Sequence, residues 1–308
     1  MRHVASFIVL TSSLAFAAPP PKLPLTLGIS QLYGAEQAAK VAPLVEPYLS
    51  KALGSAVTVK VFADADELAD ALASKQVDLA WVPPLAFVHA SQKDPEVMAL
   101  SKAMRNSALT YRAVLFVKAD SPVTKLADLK GKKVSWVAKS SASGYLFARE
   151  LVRKEGFEPT RLFSAEKFEG DHPAVCKAVK AGSADVGATY ASEAADLKNV
   201  KVDGCGAEAG DFRVLASTGN VPNEVVAARS DFPPTRINDV LAAFGRMGNT
   251  PEGKQVLTDA FRVDGWGVAV EGDFESVLDV VRAQGTKARV APAEKQDKPA
   301  KGTKPGKK

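Results

Sequence analysis

Two cysteines, three histidines and no apolar run long enough to span a bilayer are what this chain of 308 residues offers to redox, metal or membrane chemistry. Cys176 and Cys205 stand too far apart for a CxxC redox or zinc motif, and no HExxH occurs. GxSxG, the Gly-rich dinucleotide turn and the P-loop are missing as well, so serine hydrolysis, nicotinamide or flavin chemistry and nucleotide hydrolysis lack their usual marks. These absences weigh against an enzyme, and no cofactor is expected. An enzyme on the same fold is the alternative from another class, since fold alone does not decide function.

What is present begins with an export signal. Arg2 is followed by the uncharged run Val4 to Phe16, and Ala15-Phe16-Ala17 fits small-x-small cleavage before Ala18. The run is interrupted by Thr11-Ser12-Ser13 and falls short of the ~20 residues a membrane-spanning helix needs. Residues 1–17 are thus read as a cleavable signal peptide, and without a cysteine after the run there is no site for a lipid anchor. The expected location is the periplasm. His3 leaves with the signal, which leaves too few Cys and His ligands for a structural zinc site. In an oxidising compartment Cys176 and Cys205 become a disulfide candidate, free thiols being the alternative.

The formal net charge of +5 is unevenly placed. Residues 286–308 carry seven Lys and one Arg against Glu294 and Asp297, so this tail holds +6 and the rest of the chain −1. A tail whose only large apolar residue is Val290 cannot bury enough surface to fold and is expected to be disordered. The near-neutral remainder argues against a nucleic-acid partner.

Along the body, strand and helix patterns alternate. Leu25 to Ser30, Val57 to Phe62 and Asp78 to Val82 read as strands, with helices over Pro43 to Leu53 and Asp66 to Ser74 between them. A second series follows the strand Tyr111 to Lys118. Its strands are Lys133 to Val137, Glu166 to Glu169 and Asp185 to Thr189, and its helices are Gly144 to Glu155 and Pro173 to Ala181. After Phe212 to Ala216 and Glu224 to Arg229, helical stretches at Thr235 to Met247, Pro251 to Phe261 and Asp273 to Gln284 have no matching strands and are expected to pack on the first unit. The pattern predicts an α/β protein with two sheets.

Two turns have the chemistry of an anion site. Ser141-Ala142-Ser143-Gly144 lies between a strand and a helix, where unpaired N–H groups and the positive helix end attract an anion and serine hydroxyls add donors. Ser143 as a plain helix cap is the alternative. In Asp171-His172-Pro173, the proline suits the first turn of a helix, which puts His172 at another helix N-terminus. His89, on an Ala- and Val-rich helix, is read as structural.

These stretches resemble the substrate-binding proteins of phosphate, phosphite and phosphonate ABC importers, the PhnD-like branch of the type II periplasmic binding proteins. The likeness covers nearly all of residues 25–265. It is carried by Tyr111 to Lys118, Leu126 to Lys133 and Ser141 to Leu146, by Asp78-Leu79-Ala80-Trp81-Val82-Pro83-Pro84, by Gly170-Asp171-His172, and by Val221 to Arg229. The resemblance implies a two-lobed α/β fold, each lobe a mostly parallel sheet flanked by helices and joined to the other by two hinge crossings. Lobe one would comprise 23–117 and 219–285, lobe two 118–218. It further implies that the lobes close on a small anion such as phosphonate, phosphite or phosphate, and that an ABC permease receives it from a monomeric carrier. A sensor receptor is the alternative partner.

The resemblance places the ligand among Ser141, Ala142, Ser143 and His172, with Glu224 matching an acid that pairs a ligand ammonium group. His172 would act there as a charge-assisted donor. The chain departs from the family pattern at Ala142, which stands where a threonine is usual, and at Asp66 and Val82, which stand where tyrosines touch the phosphonate. Tyr33 and Tyr111 are the aromatic residues that could compensate.

Overall fold

The computed structural model describes residues 22–31, 35–192 and 201–283. The expected signal peptide, the basic tail and Tyr33 lie outside them. Within the described residues, no helix is long and apolar enough to cross a membrane.

Two mixed sheets form the molecule. The first holds β1 (Leu25–Ser30), β2 (Val57–Phe62), β3 (Leu79–Val82), β4 (Met98–Met104), β10 (Val225–Ala228) and β11 (Gly265–Val268), in the order β11-β4-β10-β3-β1-β2. The second holds β5 (Thr110–Lys118), β6 (Lys133–Trp136), β7 (Ala165–Phe168), β8 (Val186–Ser192) and β9 (Phe212–Pro222), in the order β7-β6-β8-β5-β9. Pairs β1–β2, β1–β3, β6–β7 and β6–β8 are parallel, as βα crossovers require. The pairs made by β10, β4 and β11 in one sheet, and by β5 in the other, are antiparallel. The sheets are therefore mixed rather than mostly parallel, because each takes in strands that run directly into the other sheet.

Those strands also move the expected boundary. Strand β5 pairs with β8 and β9, so it belongs to the second sheet and the first crossing falls at 105–109 instead of 117/118. Strand β9 runs on to Pro222, which puts the return crossing at 223–224. In the first crossing Arg105 and Ala108 bridge around Asn106 and Ser107, whose φ angles of 50° and 62° reverse the backbone locally. The return crossing is laced to it. Asn223 Nδ2 donates to the Ala103 and Ala108 carbonyls (3.0 and 3.1 Å), the Asn223 N–H donates to Leu109 O (3.1 Å), and the Ala103 N–H donates to Glu224 O (2.8 Å).

Helices α1 (Ala35–Leu53), α2 (Ala65–Ala73) and α3 (Pro84–Lys93) flank the first sheet; α4 (Phe147–Lys154), α5 (Pro159–Leu162) and α6 (His172–Lys180) flank the second. Helix α1 starts before Pro43, where the sequence put its first turn. Both Pro43 and Pro47 lie inside it, each at the loss of one backbone hydrogen bond. The stripe Ala38, Val41, Val45, Leu49, Leu53 is buried, and that packing holds the helix through the prolines. After the return crossing, α7 (Pro234–Gly245), α8 (Pro251–Gln255) and the π-helical turn Val256–Phe261 pack on the first sheet, as expected.

Helix α9 (Glu275–Ala283) does more. Its Val277, Val280 and Val281 lie in a core shared with Val82 and Val225 of the first sheet and with Ala113, Leu146 and Val221 of the second unit. At one end Phe274 packs at a tilt against Phe87 of α3 (4.5 Å between centroids, 50° between planes), and at the other Arg153 of α4 donates to Ala283 O (2.6 Å).

Candidate functional site

The strand β6 and helix α4 are joined through the π-helical turn Ala142–Leu146, with Ser141 as its N-cap. Ser141 Oγ accepts from the Gly144 N–H at 3.0 Å, so this serine caps the turn and its acceptor is occupied. Gly144 is needed because a Cβ there would lie 2.3 Å from a Val137 methyl. The Ala142 and Ser143 N–H groups open the helical turn and have no acceptor within it. Ser143 is buried, and its hydroxyl shares a hydrogen bond with the phenol of Tyr111. Burial pushes the Tyr111 phenol well above its ordinary range, with the nearby Glu224 carboxylate adding to the shift, so it stays protonated.

Glu224 is on the return crossing and forms an ion pair with Arg105 of the first crossing, both side chains largely buried. Arg105 Nε also donates to Arg262 O (3.2 Å) at the end of the π-helical turn Val256–Phe261. Around the same crossings, Asn106 Nδ2 donates to Ser192 Oγ (3.0 Å), which donates to Asp203 (2.6 Å). Tyr190, at the carboxyl end of β8, is raised by desolvation and by Asp203, with Arg105, Arg262 and Glu224 also in electrostatic reach.

Asp171 caps α6 by accepting from the Ala174 N–H at 2.7 Å, which sets His172 in the first turn as the proline spacing predicts. The His172 ring stands edge-on to Tyr190 (4.9 Å, 85°), and its Nδ1 lies 2.7 Å from Thr189 Oγ1. Burial pushes the imidazole down to about 4, outweighing Asp171. The ring is therefore uncharged at neutral pH, and a hydrogen bond from it to an anion is charge-assisted by the acceptor alone.

That depressed value has a measurable consequence. The unfolded imidazole, at 6.5, takes up its proton before the folded one. Acidification from pH 6.5 towards 4 is thus expected to remove up to ~3 kcal/mol of stability, with no further loss from this group below that range. Urea unfolding at several pH values checks this; a His172→Gln variant with the same slope as the parent over that window would contradict it.

The structure thus gathers Tyr111, Ser143, Glu224 and Arg105 into one neighbourhood, and sets Tyr190 between it and His172. Sequence reasoning missed Arg105 and Tyr190. At the departures, Val82 is buried without a polar contact, and Asp66 pairs with His89 (Nδ1 to Oδ1 3.1 Å), which gives that histidine a structural partner. The two cysteines are bonded, with Cα atoms 5.6 Å apart. Among the described residues no group of three or more His, Cys, Asp or Glu side chains comes together to hold a metal.

Two mixed sheets joined by two laced crossings, with polar helix-start turns gathered at those crossings, define a two-lobed solute-binding protein. The chain belongs to the family described as ABC transporter, phosphonate, periplasmic substrate-binding protein, which it matches over residues 29–274. It is 24% identical over 265 residues to the phosphate-import protein PhnD of Mycolicibacterium smegmatis, covering 80% of this chain and 81% of that one. In fold it is similar to XAC2383 from Xanthomonas citri bound to ATP (TM-score 0.67, 20% identity, 84% of this chain and 97% of that one). It is also similar to PhnD1 from Prochlorococcus marinus in complex with methylphosphonate (TM-score 0.65, 20% identity, 86% and 99%).

Proposed function

We propose that this protein captures a small phosphorus oxyanion, a phosphonate in the first instance, at the Ser141–Gly144 turn and delivers it to an ABC permease. The observation that carries this is the opening of that turn. Two N–H groups without helical acceptors stand beside a buried Ser143 hydroxyl that is itself held by a protonated Tyr111 from the first strand past the crossing. His172 supplies a further donor from the start of α6, and lobe two presents both. Arg105 already holds Glu224, so an ammonium-bearing ligand has to compete for that carboxylate. This favours methylphosphonate or phosphite over an aminoalkylphosphonate. A ligand touching both lobes shifts the population towards a closed form that the permease reads. The carrier acts as a monomer, catalyses nothing, binds no nucleic acid, and reaches the periplasm by loss of residues 1–17 without a lipid anchor.

A thermal-shift screen of methylphosphonate, phosphite, phosphate, aminoethylphosphonate and sulfate identifies the preferred anion, since a ligand bound only by the native state raises the melting temperature. Calorimetry on the best one should show His172→Ala weakening binding ten- to a hundredfold, the loss of a hydrogen bond to a charged partner worth about 1.5–3 kcal/mol. Ser143→Ala should weaken it less, because the backbone donors remain. Binding of no phosphorus oxyanion, or full affinity in His172→Ala, would sink the assignment.

A further inference from the structure

We infer that Thr189 is a positioning residue: its hydroxyl donates to His172 Nδ1 and so holds the neutral imidazole in the tautomer that carries its proton on Nε2. The inference rests on the oxyanion reading for its functional meaning, and on hydrogen-bond accounting for its geometry. Thr189 is fully buried on β8. Among the described residues, the one partner of its Oγ1 is His172 Nδ1, at 2.7 Å. Two arrangements fit that distance. If Nδ1–H donated to the threonine oxygen, the threonine proton would be left in the interior without an acceptor, at the desolvation cost of an unmade hydrogen bond. If the threonine donates, its proton and the Nδ1 lone pair satisfy each other and Nε2–H is left for a group outside the protein. An oxyanion oxygen that only accepts needs that second form, because a bare Nε2 lone pair would offer it no proton.

The fold fixes the threonine from behind. Gly204 packs so closely that a Cβ on it would lie 1.9 Å from Thr189 Oγ1. The next residue, Cys205, is bonded to Cys176, which lies on α6 one turn beyond His172. The disulfide therefore clamps together the helix that carries the histidine and the segment that backs the threonine.

Long-range proton–nitrogen correlation spectra of the unliganded protein read the tautomer directly. The parent should show His172 with an unprotonated Nδ1 and a protonated Nε2 at neutral pH. Thr189→Val should give mixed tautomers and about a tenfold weaker Kd for methylphosphonate, and Thr189→Ser should restore both. Gly204→Ala, which keeps the hydroxyl but displaces it, should resemble Thr189→Val. A parent spectrum with the proton on Nδ1 overturns the inference even if no variant folds, and so does an unchanged spectrum in Thr189→Val. If the tautomer is as stated but neither methylphosphonate nor inorganic phosphate binds, the oxyanion reading fails while the positioning role of Thr189 stands.

Discussion

Replacing Lys102 with Met should lower the stability of the fold by about 3–5 kcal/mol, seen as a large fall in the urea midpoint at unchanged m-value. Lys102 lies on β4 between two other strands, and its Nζ is 2.5 Å from Asp273 Oδ1, with side-chain exposures of only 5% and 15%. Removing the ammonium strands a carboxylate whose remaining described contact is the Val270 N–H, 2.7 Å away. Because Asp273 immediately precedes the Phe274 that anchors α9, the loss should fall on the docking of that helix. The double variant Lys102→Met with Asp273→Leu should recover most of the stability, since the penalty comes from the unpaired charge rather than from the missing pair. A Lys102→Met midpoint equal to the parent's would show that the pair holds nothing.

Reduction of the Cys176–Cys205 bond, or the double change of both cysteines to Ser, should cost about 3.5 kcal/mol. The bond closes a loop of 29 residues, and on the chain-entropy account a loop of that size restricts the unfolded chain by about this much. Paired denaturation curves with and without reductant check it, and coincident curves would exclude a stabilising role. The same reduction should broaden the His172 tautomer signal, since the bond clamps the two elements around Thr189.

Much of this architecture could be read from local pattern. Strands β1, β2 and β5 appear within a residue of their expected ranges, because short apolar or alternating runs rich in Val, Ile, Leu and Phe mark them. The capped turn at Ser141 and the helix start at His172 were legible for a similar reason: caps and N1 prolines act within four residues. Strand β4 was not. Met98-Ala-Leu-Ser-Lys-Ala-Met104 is composed of helix formers, and it becomes extended only because β10 and β11 supply its hydrogen bonds on both edges. Arg105 escaped as well, since no spacing relates residue 105 to residue 224. Tyr190 had a usable signal: it stands at the carboxyl end of a strand in parallel pairing, the edge where open α/β sheets receive ligands.

The lacing of the two crossings bears on how the lobes can move. Strands β4 and β10 pair in one sheet, β5 and β9 in the other, and Asn223 stitches the segments between them, so the connection is a single two-stranded ribbon instead of two separate tethers. Two separate tethers would let the lobes tilt, slide and rotate independently. A ribbon bends poorly in its own plane but twists readily, so the crossings favour torsion, and α9, whose apolar face packs with both units, has to shift against one of them as the lobes turn. Distances between spin labels placed on the two lobes should then fall on one curve as ligand is added, with every pair reporting the same angle.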